Sequence, residues 1–413
     1  MKILWVKAGG LVPTDSGGKI RSYNILRELA RNHSITLFSF YPAHPNDIHP
    51  QLKTIFQQVV CLPLDLPAAK SFGELYDYSV RLFSREPYNI TKFCRPQVRR
   101  ALQHLLAQET YDVIVCDFIM PVGVIPWDWP CPKILFTHNV EAMIWRRHYE
   151  VARNPLWKAL SWREWKTMAA AERRYLQKAD HVLAVSDNDR DEFLRFLDPS
   201  KITVIPTGVD VEYFKPNPEP AAPHSLVFTG SMDWLPNEDA IFYFVKEILP
   251  LIRQQVPGVS LCVVGRKPSP RLQQLAATET NIELTGWVED IRPFMARGSI
   301  CIVPLRIGGG TRLKIFEAMA MAKPVVSTSI GSEGLPVRDS EHLLLADDPS
   351  KFADAVITLL RDSERRTRIS LAARQLVEQN YSWAQVANRL AAILDDVVTK
   401  SNLQNSPVAV TAR

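Results

Sequence analysis

Two hydrophobic rhythms alternate along the chain. Short, nearly continuous apolar runs recur, and between them lie stretches whose apolar positions fall three and four residues apart. The first rhythm predicts strands buried on both faces, the second helices that bury one side. Residues 2–7 read as a strand, 8–19 as a Gly-rich loop, and 21–31 as a helix burying Ile25, Leu26 and Leu29. A strand follows at 35–40. Residues 41–110 are less regular, with a strand within 54–62 and helices near 71–84 and 95–108. Strands at 111–117 and 133–137 come next, the second ending on His138-Asn139. Residues 142–178 read as one long helical segment, followed by a strand at 181–186, a helix at 189–197 and a strand at 202–206. The proline-studded stretch 206–218 predicts a connector between two domains, 1–205 and 206–381. The βα series then restarts. Strands are expected at 225–230, 261–265, 282–284, 299–305 and 325–328, with helices at 238–254, 270–277 and 291–296. Helices near 350–361, 364–379 and 382–398 close the chain, and 401–413 is expected to be a disordered tail. This is an α/β pattern of two Rossmann-like parallel-sheet domains.

A length of 413 residues, with 46% apolar and 23% charged residues, suits a globular protein of two domains. The net charge of +5 is compatible with anionic substrates or an anionic membrane surface and decides neither; no nucleic-acid partner is expected. The six cysteines are scattered without a CxxC pair, which predicts a reducing compartment and no metal site; Cys116, Cys262 and Cys301 sit in apolar runs that suit buried thiols. The amino terminus lacks the layout of a secretory leader, and no apolar run approaches the roughly 18 residues of a spanning helix. A cytoplasmic protein is the expectation. One segment qualifies it. From Trp145 to Arg174 there are eight Lys/Arg against three Glu, with Trp145, Trp157, Trp162 and Trp165 among them. Such a segment within 142–178 could rest on the inner face of the cytoplasmic membrane, or it could pack its tryptophans into the domain.

The chemistry is concentrated between Arg306 and Leu335. Gly308, Gly309 and Gly310 allow close backbone approach to a ligand, and Thr311 stands where the next helix would be capped. The free N–H groups of a helix's first turn favour an anion, and Arg312 and Lys314 add two cations there. Glu317, three residues after Lys314, shares its face. The pattern suits a phosphate-bearing ligand with Glu317 on a hydroxyl group. It equally suits an exposed ion pair on a surface helix, since neither GxxxxGK[ST] nor GxGxxG accompanies the glycines. Gly17 and Gly18 sit in a comparable strand-loop-helix setting, where they either meet phosphates or simply turn the chain. His138 stands at the carboxyl end of a predicted parallel strand, a favoured place for chemistry.

The second half resembles family four of the retaining glycosyltransferases, which have the GT-B architecture. The match runs in order through PTGVD, GSMDWLPNEDA, VVG, LTGWVEDI and LKIFEAMAMAKPVVST–GSEGL, about residues 202–335. The first half matches more loosely through YDVIVCD, THNVE and AERRYLQKADHVLAVS. The resemblance implies two Rossmann-like domains facing across a cleft, with the final helix crossing back onto the first. It implies sugar transfer from a nucleotide-sugar donor, most simply a UDP- or GDP-sugar, with the anomeric configuration kept and no metal or other cofactor. The acceptor would be a glycan or lipid-linked hydroxyl compound, as in polysaccharide assembly. Position by position, Glu317 matches the glutamate on the donor ribose, Trp287 and Val288 the turn lining the base, and Gly17 and Gly18 the loop closing over diphosphate and sugar. Gly230 and Ser231 match the turn opening the donor site, and His138 the histidine near the reacting sugar.

Two departures matter. The family's second glutamate, eight residues before Glu317, is here Gly309, and its Arg and Lys are missing between Ser231 and Asn237. Backbone N–H groups at Gly309, Gly310 and Thr311, with Arg312 and Lys314, are the candidates to replace them. These cations would stabilise the departing diphosphate, and no Asp or Glu stands out as a nucleophile. The leaving phosphate oxygen would itself take the acceptor's proton, as a same-face mechanism proposes for the family. A sugar-nucleotide epimerase of the same architecture and a non-catalytic homologue are the competing readings. A Rossmann dehydrogenase is disfavoured by the first loop, which lacks GxGxxG.

Overall fold

The computed structural model describes residues 1–14, 16–42, 49–68, 71–152, 154–217, 221–307 and 313–405. Tertiary contacts divide the chain into two units. The first holds Met1–Pro206 and the residues from Val386 onward, the second Thr207–Gln385.

The first unit contains β1 (Lys2–Ala8), α1 (Gly17–Leu29), β2 (Ser34–Tyr41), α2 (His49–Lys53), β3 (Gln58–Pro63), α3 (Phe72–Arg81), α4 (Tyr88–Thr91) and α5 (Pro96–Gln108). It continues through β4 (Val113–Asp117), β5 (Lys133–Phe136), α6 (Glu141–Val151), α7 (Pro155–Lys178), β6 (His181–Ala184), α8 (Asp187–Phe193) and β7 (Ile202–Val204). The seven strands form one parallel sheet in the order β3-β2-β1-β4-β5-β6-β7. β4 and β5 are buried along their whole length, because helices cover both faces of a parallel sheet. β1 pairs with β2 on one side and β4 on the other, so strand order reverses there and opens a crevice at the carboxyl ends.

The second unit contains β8 (Ser225–Thr229), α9 (Leu235–Tyr243), α10 (Leu249–Gln255), β9 (Ser260–Val264), α11 (Pro270–Thr278), β10 (Ile282–Gly286), α12 (Arg292–Arg297) and β11 (Ile300–Val303). There follow α13 (Leu313–Ala320), β12 (Val325–Ser327), β13 (Leu344–Leu345), α14 (Pro349–Arg361) and α15 (Ser363–Asn380). Its sheet runs β10-β9-β8-β11-β12-β13, and the order reverses between β8 and β11. The last helix, α16 (Trp383–Asn405), begins in the second unit and continues in the first. There Asp395 raises and Asp396 raises the proton affinity of His33 and His181 respectively, against the burial that lowers both.

Several elements differ from the sequence reading, each for a local reason. α1 starts at Gly17, four residues before the expected helix, so Gly17 and Gly18 form its first turn rather than a loop. The segment 142–178 is two helices: Asn154 accepts hydrogen bonds from Leu156 N and Trp157 N, and Pro155 takes the first helical position. The expected helix 238–254 is interrupted by a π-helical turn, Phe244–Ile248, ahead of Pro250, which offers no N–H to the ladder. β13 has two residues and is too short to carry a rhythm. α16 extends to Asn405, so 401–405 is helical and not part of a disordered tail; the remaining tail lies outside the described residues. All six cysteines are free thiols; Cys116 and Cys301 are buried as expected, whereas Cys262, on β9, is only partly buried.

Two contacts position the loops at the strand ends. On α7, Glu172 Oε1 accepts hydrogen bonds from Glu141 N (2.7 Å) and Ala142 N (3.3 Å), which closes the start of α6 just after His138. Burial pushes the Glu172 carboxyl up to about 8. In the second unit, a Cβ on Gly265 would lie 1.8 Å from Gly230 O, so the turn after β9 can hold the turn after β8 only through glycine.

Two outcomes follow. Gly265→Ala must push backbone apart and is expected to cost about 1–3 kcal/mol, read as a lower urea midpoint at unchanged slope. The folded Glu172 carboxyl lies above its unfolded value, so its contribution is fully present below about pH 4.3 and is lost as pH rises through about 8. The stability of Glu172→Gln relative to the native chain should therefore improve steadily between those pH values, measured by urea unfolding at each.

Candidate active site

In the first unit the site is built on Asp117, the last residue of β4, which has no exposure to solvent. Its Oδ2 accepts hydrogen bonds from Trp5 Nε1 (2.9 Å), Lys7 Nζ (2.9 Å) and Ser22 Oγ (2.7 Å). Lys7 Nζ also reaches Ser22 Oγ at 3.2 Å. Oδ1 lies 2.7 Å from His138 Nε2. Burial alone would raise the Asp117 carboxyl, but the Lys7 ammonium and His138 beside it hold it well below the usual carboxylate range. It is an anion in the folded protein.

Burial pushes the His138 imidazole down to about 4, against the pull of Asp117, so the ring is neutral near pH 7. A neutral ring beside a carboxylate donates from Nε2, which leaves Nδ1 as an acceptor. That Nδ1 is buried and has no hydrogen-bond partner among the described residues. It points at the first turn of α1: a Cβ on Gly18 would sit 3.4 Å from it. Phe136 and Phe118 flank the ring with centroids at 4.7 and 4.9 Å. Phe118 holds a φ of 80°, a left-handed conformation uncommon outside glycine, and Phe118 N donates to Phe136 O at 2.8 Å. Arg21, one turn into α1, is also fully buried; burial lowers it to about 10, so it stays a cation at neutral pH. The glycine turn, a buried guanidinium and an open imidazole acceptor thus converge at the carboxyl ends of β1, β4 and β5.

In the second unit, Lys314 on α13 donates from Nζ to Asn237 Oδ1 (2.7 Å) and lies 4.0 Å from the centroid of Phe228. Asn237 Nδ2 in turn donates to Ser231 O at 2.8 Å. Gly230 has φ +153°, and a Cβ there would come within 2.9 Å of Lys314 Nζ. Gly230, Ser231 and Lys314 are therefore brought together at the carboxyl end of β8, beside the strand-order reversal. One turn further along α13, Glu317 is half-buried. Burial pushes its carboxyl up to about 7, against the pull of Lys314. Trp287, 73% exposed, follows β10, and Val288 packs on the core beneath it. Gly309, Gly310, Thr311 and Arg312 lie outside the described residues.

The residues that sequence reasoning missed explain how the expected ones are held. Asp117 read only as the end of a strand, and Arg21 as the start of a helix. For Asp117 the available signal is a charged residue closing an apolar run at a strand's carboxyl end; Arg21, inside α1, carries no comparable signal. Arg266 was also missed. Standing directly after VVG, it donates from Nε to Ser231 Oγ at 2.9 Å, and so supplies a cation to the turn that lacks the family's Arg.

Comparison with known proteins bears on the family and the fold. A 44.6 kDa protein of the cps region of Klebsiella pneumoniae, itself uncharacterized, is 22% identical over 323 residues, 75% of this chain and 82% of that protein. A phosphatidyl-myo-inositol mannosyltransferase of Mycobacterium leprae is 28% identical over 229 residues, 53% of this chain and 60% of that protein. Among solved structures, sucrose-phosphate synthase from Thermosynechococcus elongatus superposes with a TM-score of 0.71 at 18% identity, covering 97% of this chain and all of that one, a likeness of fold. The model of glycosyltransferase family 4 matches residues 16–213, and that of the group 1 glycosyl transferases matches residues 223–362. With two parallel Rossmann-like sheets and both halves of its length matched, the chain belongs to the family-four glycosyltransferases of GT-B architecture.

Proposed function

We propose that the protein transfers a sugar from a nucleoside-diphosphate donor to a hydroxyl group of a glycan or lipid-linked acceptor, with retention of anomeric configuration and without a metal. The observation that carries this reading is the pairing on α13 of Lys314, aimed at the Gly230–Ser231 turn, with the half-buried Glu317 one turn on. A cation beside a glycine turn suits a diphosphate, and a carboxylate one turn away suits the two hydroxyls of a ribose. Trp287 offers a flat apolar face for a base. The relative from Mycobacterium leprae, whose name specifies a mannosyltransferase acting on a phosphoinositide, supports a lipid-linked acceptor, and the cps-region relative supports polysaccharide assembly.

In the reaction, the bond between the sugar's anomeric carbon and the phosphate oxygen breaks, and the acceptor oxygen bonds to that carbon on the same face. The acceptor's proton passes to the departing phosphate oxygen. Negative charge grows on the diphosphate, where Lys314 and Arg266 stabilise it, joined by Arg312 and the glycines before it. His138, neutral and with Nδ1 open, accepts a hydrogen bond from a sugar hydroxyl and so orients the donor sugar. Within 142–178, the exposed first turns of α7 give the protein a peripheral contact with a membrane, at the inner face of a cytoplasmic membrane.

The test begins with nucleotide binding. Among UDP, GDP, ADP, dTDP and CMP, one ligand at 100 times its Kd should stabilise the protein by about 2.7 kcal/mol in a thermal-shift assay, and Glu317→Ala should abolish the shift. No shift with any of them overturns the donor site. Because the Glu317 carboxyl titrates near 7, binding should strengthen roughly tenfold from pH 6 to pH 8, and Glu317→Gln should flatten that dependence. With donor and acceptor supplied, Lys314→Ala should lower kcat about 10²- to 10³-fold and His138→Ala about 10- to 100-fold, both with unchanged far-UV circular dichroism. Nucleotide release without an acceptor, together with an altered sugar, would point to an epimerase instead.

A further inference from the structure

The polarity of α3 is inverted. Phe72, Leu75, Tyr76, Val80 and the following Phe83 fall at helical spacing on one stripe, and these residues are 92, 63, 72, 64 and 93% exposed. No residue of α3 is buried. Its polar residues face the protein instead. Tyr78 donates from its hydroxyl to Glu164 Oε1 (2.9 Å), and Asp77 pairs with Arg81 (3.0 Å) and Arg95 (3.3 Å). Glu164, itself fully buried on α7, also accepts from Tyr88 N at 2.9 Å and pairs with Arg163. Arg163 Nε then donates to Leu82 O at 2.9 Å, just past the end of α3. A polar latch thus holds α3 to the body while its apolar stripe faces outward.

Beside that stripe lies a cavity of about 470 Å³, walled by Leu75, Tyr78, Tyr88, Trp145, Trp157 and Leu160, with the carboxylates Glu74 and Glu164 also in its lining. The Trp145 and Trp157 rings lie 6.3 Å apart. The first turn of α7 extends the surface with Leu156, Trp157 and, a turn later, Trp162, all exposed. Between Trp145 and Arg174 cations outnumber carboxylates eight to three. Of the three glutamates between Trp145 and Arg174, Glu164 and Glu172 are buried, and Glu150 pairs with Arg146. Arg147 and Lys158 are exposed, and Lys158 and Lys166 lie over the Tyr149 and Trp165 rings.

We infer that α3 and the start of α7 form a docking surface for an anionic lipid leaflet, and that the cavity receives one hydrocarbon chain from it. The observations favour a bilayer over a protein partner because they combine large apolar side chains standing clear of the body, tryptophans at their edge and an excess of cations around them. The inference deepens the proposed function by specifying where a lipid-linked acceptor meets the protein, and it rests on that reading only for the acceptor's role. It also moves the apolar anchor from the Trp-rich segment to α3. The second half of α7 buries Met168, Ala171 and Leu176 in the core, so only its first turns remain for this surface.

The full chain should co-sediment with phosphatidylcholine vesicles containing phosphatidylglycerol, weakly with phosphatidylcholine alone, and less as salt is added. Phe72→Ser combined with Phe83→Ser should weaken vesicle binding at least about tenfold while leaving the nucleotide thermal shift in place. Chain-brominated phosphatidylglycerol should quench tryptophan fluorescence, and quenching should fall in Trp145→Phe combined with Trp157→Phe. Native binding by the double Phe→Ser variant, equal binding to neutral vesicles, or no quenching would each overturn the inference. So would a dimer in sedimentation equilibrium that dissociates on the Phe→Ser substitutions, which would assign the face to a second copy. A lost nucleotide shift with intact vesicle binding would sink the donor-site reading alone.

Discussion

A buried carboxylate sets the terms for the first unit. Asp117 leaves water entirely, and a charge in that position is tolerable only when donors surround it. Trp5 and Lys7 come from β1, Ser22 from α1 and His138 from the end of β5. One anion therefore fixes the mutual positions of a strand, a helix start and a loop. Removing it would strand the Lys7 ammonium in the interior as well as releasing the imidazole. His138 owes its tautomer to this arrangement, and the tautomer is what leaves Nδ1 open toward Gly18.

The second unit reaches a comparable result with backbone. Its site turn is held from below by the Gly265–Gly230 approach and from the side by Asn237, which bonds both Ser231 O and Lys314 Nζ. Asn237 stands in the stretch where the family carries a cation, and it passes that position to a lysine from α13. The charge needed for a diphosphate is thus contributed by α13 and by Arg266 after β9, rather than by the turn itself.

Much of this was legible along the chain. The two sheets follow from continuous apolar runs alternating with helical rhythm, and Gly18, His138, Lys314 and Glu317 were recognisable at strand ends and on one helix face. What escaped depends on contacts distant in sequence. Asp117 and His138 are 21 residues apart and Lys314 and Asn237 are 77 apart, separations at which no periodicity operates. The start of α1 was misplaced because glycines read as turn formers, although Gly17 and Gly18 complete a first helical turn whose close neighbour is an imidazole. α3 was legible as a helix, but its orientation was not. An amphipathic rhythm states that two faces differ and is silent about which one meets the protein.

That orientation separates two demands usually met by the same side chains. In an ordinary surface helix the apolar stripe supplies both cohesion and position, so a polar replacement unfolds what it solubilises. In α3 cohesion comes from Asp77, Tyr78 and Arg81, and the outward aromatics are spared from it. Substitutions at Phe72, Tyr76 or Phe83 are thereby nearly neutral for folding, whereas a change at buried Glu164 would loosen the helix without altering its apolar character. The sequence of the stripe is free to drift with the surface the protein must meet, and the fold does not have to follow.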